Sequence, residues 1–143
     1  MGLLRLSQPT AEVSPEASVQ EAVRVMTEAN VGALAVMKGR NIVGIFTERD
    51  LMRRVVHEQR DPAKVVISEV MTRPVQTVPD STSVAEAAAL MRKGQFRHLA
   101  IIDKKGELMG VVALRYLLYD LLNELALKVD NLEGYLMADG PGG

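Results

Sequence analysis

Cysteine is absent from this sequence, so disulfides, thiolate nucleophiles and Cys-ligated zinc are excluded. Tryptophan is absent too, and three Tyr and two Phe are the only aromatic residues. A core must therefore be aliphatic, built from Val, Leu, Ile, Ala and the eight Met. There is no excess of either charge: 17 Lys and Arg stand against 18 Asp and Glu, a formal net charge of -1. That balance argues against a general nucleic-acid binder, which usually carries a basic surplus. No apolar run approaches the roughly 20 residues of a membrane span. The start, Met1 to Arg5, lacks a signal-peptide core. Leu6 stands where the myristoylation pattern needs Ser or Thr. These absences together lead to the expectation of a soluble cytoplasmic protein that binds neither membrane nor nucleic acid.

Catalytic signatures are missing as well. The sequence has no Gly-x-x-x-x-Gly-Lys loop and no nucleophile elbow. His57 and His98 are far apart, with no spaced carboxylate or thiolate to complete a metal site. Glu21 and Glu86 fit helix capping better than paired acid–base work. The expectation is a protein with no metal and no enzyme activity of its own.

What is present is a repeat. With 143 residues, 48% of them hydrophobic, the chain has enough material for one domain or two merged halves. Ser18, Val19, Glu21, Ala22 and Met26 are matched by Ser83, Val84, Glu86, Ala87 and Met91. Leu34-Ala35 is matched by Leu99-Ala100, Gly44 by Gly110, Arg49 by Arg115 and Leu51 by Leu117. Apolar spacing predicts a helix from Val19 to about Asn30 and a short strand over 34–37. A turn follows, then a strand over 41–46 that runs into a helix from Glu48 to about Gln59. The second copy predicts a helix over 84–93, strands over 99–103 and 108–113, and a helix from near Leu114. Residues 1–10 carry no period and read as a lead-in, and 60–63 as a linker. The resulting division is 1–65 for the first repeat with its lead-in, 66–123 for the second, and 124–143 for a C-terminal extension. A unit of about 60 residues buries too little surface to be secure alone, so the two should pack as one body.

The stretch Gly44-Ile45-Phe46-Thr47-Glu48-Arg49-Asp50-Leu51 organises the first copy. Thr47 has N-cap chemistry and Asp50 sits three residues later. Capping alone explains that pair. Alternatively, a hydroxyl, a carboxylate and free N–H groups at one helix start could hold a phosphate and a sugar diol.

Taken together, Val-Ser-Pro-Glu-Ala-Ser-Val-Gln-Glu-Ala, Gly-Ile-Phe-Thr-Glu-Arg-Asp-Leu, Val-Met-Thr-Arg-Pro and Phe-Arg-His-Leu-Ala-Ile-Ile-Asp resemble a tandem pair of cystathionine-β-synthase (CBS) domains, a Bateman module. The resemblance covers roughly residues 10–122. It implies an α/β (α+β) fold of two pseudo-symmetric repeats, each a small sheet with flanking helices. It also implies a stand-alone regulatory module that binds an adenosine-containing ligand between its repeats and signals by changing shape to an unidentified regulated protein. AMP, ADP or ATP is favoured over S-adenosylmethionine, and no cofactor is obligatory. The rival reading is a structural or interaction module with a vestigial site.

Carried onto this chain, the resemblance gives Asp50 to the ribose hydroxyls and Thr47 to a phosphate. It adds Arg97 and His98 from the second repeat, Thr77 and Val78 from that repeat's lead-in strand, and Ile45 and Phe46 against the adenine. Arg97 suits a phosphate because its guanidinium is planar and always charged. Read without the family, Arg97 and His98 are a surface pair at a strand edge. The second copy departs from the pattern: Ala113 replaces the hydroxyl and Tyr116 the carboxylate, and Asn30-Val31-Gly32-Ala33 offers no cation. One ligand per chain is expected.

From Leu114 onward, apolar residues recur at Leu117, Leu118, Leu121, Leu122, Leu125, Val129, Leu132 and Leu136. This is close to a heptad seam. Such a helix either packs on its own module or docks on a second chain, and a homodimer is expected. Gly140 to Gly143 should be disordered.

Overall fold

The computed structural model describes residues 2–7 and 10–139, with side chains to Leu132. The expectations for Leu136 and for Gly140 to Gly143 lie outside the described side chains and residues.

The order is β1 (Ala11–Val13), α1 (Val19–Ala29), β2 (Ala33–Lys38), β3 (Asn41–Thr47), α2 (Glu48–Asp50), α3 (Ile67–Val70), β4 (Thr77–Pro79), α4 (Val84–Gly94), β5 (His98–Ile102), β6 (Leu108–Ala113) and α5 (Leu114–Asp139). A short 3-10 turn, Leu3–Leu6, comes first, and α2 runs on as a π-helical stretch, Leu51–Val56. Two three-stranded sheets result, β1-β2-β3 and β4-β5-β6. In each, the first pair is parallel and the second antiparallel. This is the mixed α/β (α+β) architecture the repeat implies.

The local reasons recur in both halves. Ser18 accepts from the Glu21 N–H at the start of α1, and Ser83 accepts from the Glu86 N–H at the start of α4, both at 3.1 Å. Both helices end on a left-handed residue, Asn30 (φ 55) and Gln95 (φ 58). The buried faces are those the period predicts: Val19, Ala22 and Met26 in α1, Ala87 and Met91 in α4. Aliphatic strand residues such as Leu34, Val36, Leu99 and Ile101 complete two cores.

The cores divide the chain differently from a boundary at residue 65. Leu3, Leu4 and Leu6 pack in the second core, with Leu3 fully buried. The Leu3 N–H donates to the Asp80 carbonyl at 3.0 Å, and Arg5 pairs with Asp120 at 3.0 Å. Val65, Ile67, Val70 and Met71 pack in the first core. Each repeat is thus plugged by the segment that leads into the other. Glycine permits both close approaches: a Cβ on Gly44 would collide with the Met71 side chain, and one on Gly110 would lie 2.8 Å from Leu4 Cδ1. Residues 3–6 and 67–70 are four-residue elements, too short to show a period, and so the sequence reads the first as lead-in and the second as the opening of the second repeat.

Among the described residues no helix is long and apolar enough to cross a membrane. None of their His, Asp or Glu groups could hold a metal ion.

Candidate functional site

β3 passes directly into α2 at Thr47, whose backbone is extended (φ -122, ψ 166). The Thr47 hydroxyl accepts from the Asp50 N–H at 3.2 Å, and Asp50 Oδ2 accepts from the Thr47 N–H at 3.0 Å, a complete capping box. The Thr47 hydroxyl also donates to Oδ2, at 3.1 Å. On the other oxygen, Asp50 Oδ1 accepts from the Thr72 hydroxyl at 2.9 Å, and Arg54 Nε stands 3.8 Å away. Asp50 is the only buried charged residue among those described, at 5% exposure. An ionised carboxylate offers about four acceptor positions. Three are used, so one position on Oδ1 remains for a ligand hydroxyl, not the two that a whole diol would take.

Thr72 and Arg54 were not singled out in the sequence. Arg54 lies four residues after Asp50, a spacing that brings side chains together on a helix. Its guanidinium also donates to the Val70 and Met71 carbonyls, at 3.3 and 2.9 Å. Thr72 pairs with Ile45 through both backbone groups, at 3.0 and 2.8 Å. No local pattern announces that pairing, which links residues 27 apart along the chain.

The equivalent turn of the second repeat starts α5. There the Leu114 N–H donates to the Arg97 carbonyl at 2.8 Å, just as the Glu48 N–H donates to the Gly32 carbonyl at 3.0 Å. Arg97 and Gly32 therefore occupy equivalent places. His98 opens β5 opposite Ala113 and is half-buried. Burial pushes its imidazole below the ordinary histidine range. The Arg115 and Arg97 guanidiniums push the same way, and the Asp50 carboxylate opposes them. Asp50 of one repeat and His98 of the other are thus close enough to feel each other's charge.

Both half-sites open into one cleft of about 870 Å³. Ile45, Thr47, Asp50, Arg97 and His98 line it, as do Ala113 and Tyr116. Phe46, Thr77 and Val78 do not. Successive strand residues point to opposite faces, so Ile45 and Phe46 cannot both face the cleft. Phe46 is fully buried in the first core, and Val78, at 5% exposure, belongs to the second. Thr77 lies on the edge strand β4, paired with Ala100 of β5. Val75 and Gln76, just ahead of β4, line the cleft in their stead.

The second half of the cleft has inverted chemistry. The Glu48 carboxyl carbon sits 3.2 Å from where a Gly32 Cβ would be, so a carboxylate lies over the position equivalent to Arg97. Tyr116 is held under the Arg115 guanidinium, 5.1 Å from its ring centre, and meets Tyr119 edge to face at 6.0 Å.

The CBS domain family model matches this chain twice, over residues 6–57 and 67–123. The chain belongs to the CBS domain family. An uncharacterized 17.7 kDa protein of Acidianus ambivalens is 37% identical over 112 residues, 78% of this chain. The match spans 66% of that relative, and a second match spans 54% of a Methanopyrus kandleri protein. A CBS-domain structure from Burkholderia ambifaria is 31% identical with a TM-score of 0.77, covering 86% of this chain and 95% of that one. A CBS domain protein from Pyrobaculum aerophilum, solved in complex with AMP, is 26% identical with a TM-score of 0.76, covering 89% of this chain and 99% of that one. The tandem CBS reading of the repeat stands, and both half-sites described above belong to one Bateman module.

Proposed function

We propose that this CBS pair is a regulatory, non-catalytic module that binds a phosphorylated adenosine ligand, AMP, ADP or ATP, in the cleft between its repeats. The observation that carries the reading is the meeting of Thr47 and Asp50 with Arg97 and His98 in one 870 Å³ cleft. That size suits a nucleotide-sized ligand. Asp50 takes a ribose hydroxyl on its remaining Oδ1 position, Thr47 and Arg97 face the phosphate, and Ile45 walls the base. The AMP complex of the Pyrobaculum relative supports the ligand class. Binding favours whichever relative arrangement of the repeats holds the ligand better, and a partner protein reads that shift.

Isothermal calorimetry with AMP, ATP, adenosine and S-adenosylmethionine tests this. One phosphorylated nucleotide per chain is the expected stoichiometry, because Glu48, Ala113 and Tyr116 leave the second half without a phosphate grip. Affinity for AMP should exceed that for adenosine and weaken as salt rises. Tighter binding of S-adenosylmethionine at moderate salt overturns the phosphate assignment, and two equivalent sites overturn the reading of the second half. If no adenosine compound binds, the vestigial interaction module becomes the reading.

We infer further that the module works as a homodimer. Leu117 is the last buried residue of the second core, Asp120 is still held by Arg5, and from Leu122 onward the described side chains of α5 are all exposed. Leu118, Leu122, Leu125, Val129 and Leu132 follow at alternating spacings of four and three, and all five are exposed. That is the heptad period, with Leu122 and Val129 at one seam position and the remaining leucines at the other. Exposed apolar surface of this kind marks an interface. Truncation after Asn123 removes no buried described residue, so the fold should survive and dimerisation weaken. Sedimentation equilibrium at micromolar concentration should give twice 15.6 kDa for the full chain and a lower mass for the truncated one. A clean monomer for the full chain defeats the dimer.

A further inference from the structure

Building on the nucleotide reading, we propose that a phosphorylated ligand entering this cleft is bound together with a proton taken up by His98, so that the site's affinity rises as the pH falls. The imidazole lies on the cleft wall at the start of β5, half-buried, and makes no hydrogen bond to any described residue. Its ring nitrogens are therefore available to a ligand oxygen.

The charged groups around it explain why the proton is absent before binding and welcome afterwards. Arg97 precedes it in the chain, and Arg115 approaches from the first turn of α5. Asp50 faces it from α2, across the boundary between repeats. Glu48, Arg49 and Arg53 line the same cleft further out. Two guanidiniums and partial burial oppose an imidazolium, against a single carboxylate whose acceptor positions are mostly occupied. Near neutral pH the free site therefore holds neutral imidazole. A phosphate group brings up to two negative charges and strong acceptor oxygens. It neutralises the surplus of the guanidiniums and offers the imidazolium an acceptor, so the favoured state of His98 reverses.

The direction of the linkage follows. The free protein's His98 titrates below the ordinary value of 6.5, and the complex's His98 titrates higher. Between those two points the complex carries more protons than its separated parts. Affinity then climbs as pH falls through the bound-state value and levels off below the free-state value. Adenosine, which lacks the phosphate, should show none of this.

The sequence contains only two histidines, and His57 is exposed and outside the cleft. Two imidazole Cε1–H resonances, one per histidine, can therefore be followed by NMR through a pH titration of the intact protein, and H98Q identifies which is which. The expected result is a His98 midpoint below 6.5 in the free protein that moves up with saturating AMP and stays put with saturating adenosine. Calorimetry of AMP at pH 7.0 in two buffers of different ionisation heat should give proton uptake for the natural protein that is lost in H98Q. The difference between the two proteins removes the contribution of the ligand's own phosphate. AMP binding with an unmoved His98 midpoint, or with the same proton count in H98Q, overturns this proposal and leaves the nucleotide reading standing. Absence of binding by AMP, ADP and ATP alike overturns both.

Discussion

Asp50→Ala should lower both the affinity for AMP and the stability of the protein. Losing the hydrogen bond that the carboxylate accepts from a ribose hydroxyl removes about 1.5–3 kcal/mol, a fall in AMP affinity of at least tenfold. The stability cost has a separate origin. Alanine deletes the acceptor half of the capping box, worth about 1 kcal/mol, and strands the Thr47 N–H and the Thr72 hydroxyl. Thr72 is exposed and Thr47 half-buried, so water takes over part of both hydrogen bonds and the further cost stays below the roughly 1–3 kcal/mol of a fully buried unsatisfied donor. The two losses can be told apart with Asp50→Asn, whose amide oxygen can still accept from one of these donors. Chemical denaturation should place Asn between Ala and the natural protein. Calorimetry that finds AMP affinity unchanged in the alanine variant returns Asp50 to a purely capping role.

Phe46→Ala should cost more stability than any cleft substitution and should leave ligand contacts in place. Phe46 is the largest of the fully buried side chains, packed in the first core on the side of β3 away from Ile45. Deleting a buried ring of this size costs about 3–5 kcal/mol. For a chain of this length that lowers the melting temperature by roughly 10 °C. In the variant, AMP affinity measured well below the melting point should stay within a few-fold of the natural value. A selective tenfold loss of AMP binding with little change in melting temperature would instead put the ring against the ligand.

These two residues mark how far the sequence could be read. Periodicity and repetition made the helices, the strands and their pairing into two similar units legible, because each element is long enough to carry its own apolar face. Ser18 and Ser83 show their caps in the sequence itself. What lay out of reach was which face of a strand meets the cleft. Ile45 and Phe46 are both apolar neighbours, and only the packing of β3 decides that one lines the cleft and the other fills the core. Likewise Thr77 and Val78 yield to Val75 and Gln76, a displacement of two residues that strand alternation alone cannot fix. Thr72 and Arg54 escaped for another reason. Thr72 reaches Asp50 through a bridge between Ile45 and Thr72, a contact made by folding and without local signature, whereas the spacing of Arg54 four residues after Asp50 is a local signal too common to single it out. Arg97 and His98 were found only through the family resemblance, since an arginine and a histidine at the start of a strand carry no period of their own.

The exchange of plugs between the repeats, Leu3 to Leu6 into one core and Val65 to Met71 into the other, gives the chain a property of a knotted belt. A cut at residue 65 does not yield two independent domains: the first fragment keeps a plug for a core it lacks and loses the one it needs. The first core needs Val65 to Met71 and the second needs Leu3 to Leu6, so neither is complete without the segment across the boundary. Heating should therefore melt both repeats in one transition, and a strain set up in one cleft wall has a covalent route into the opposite core.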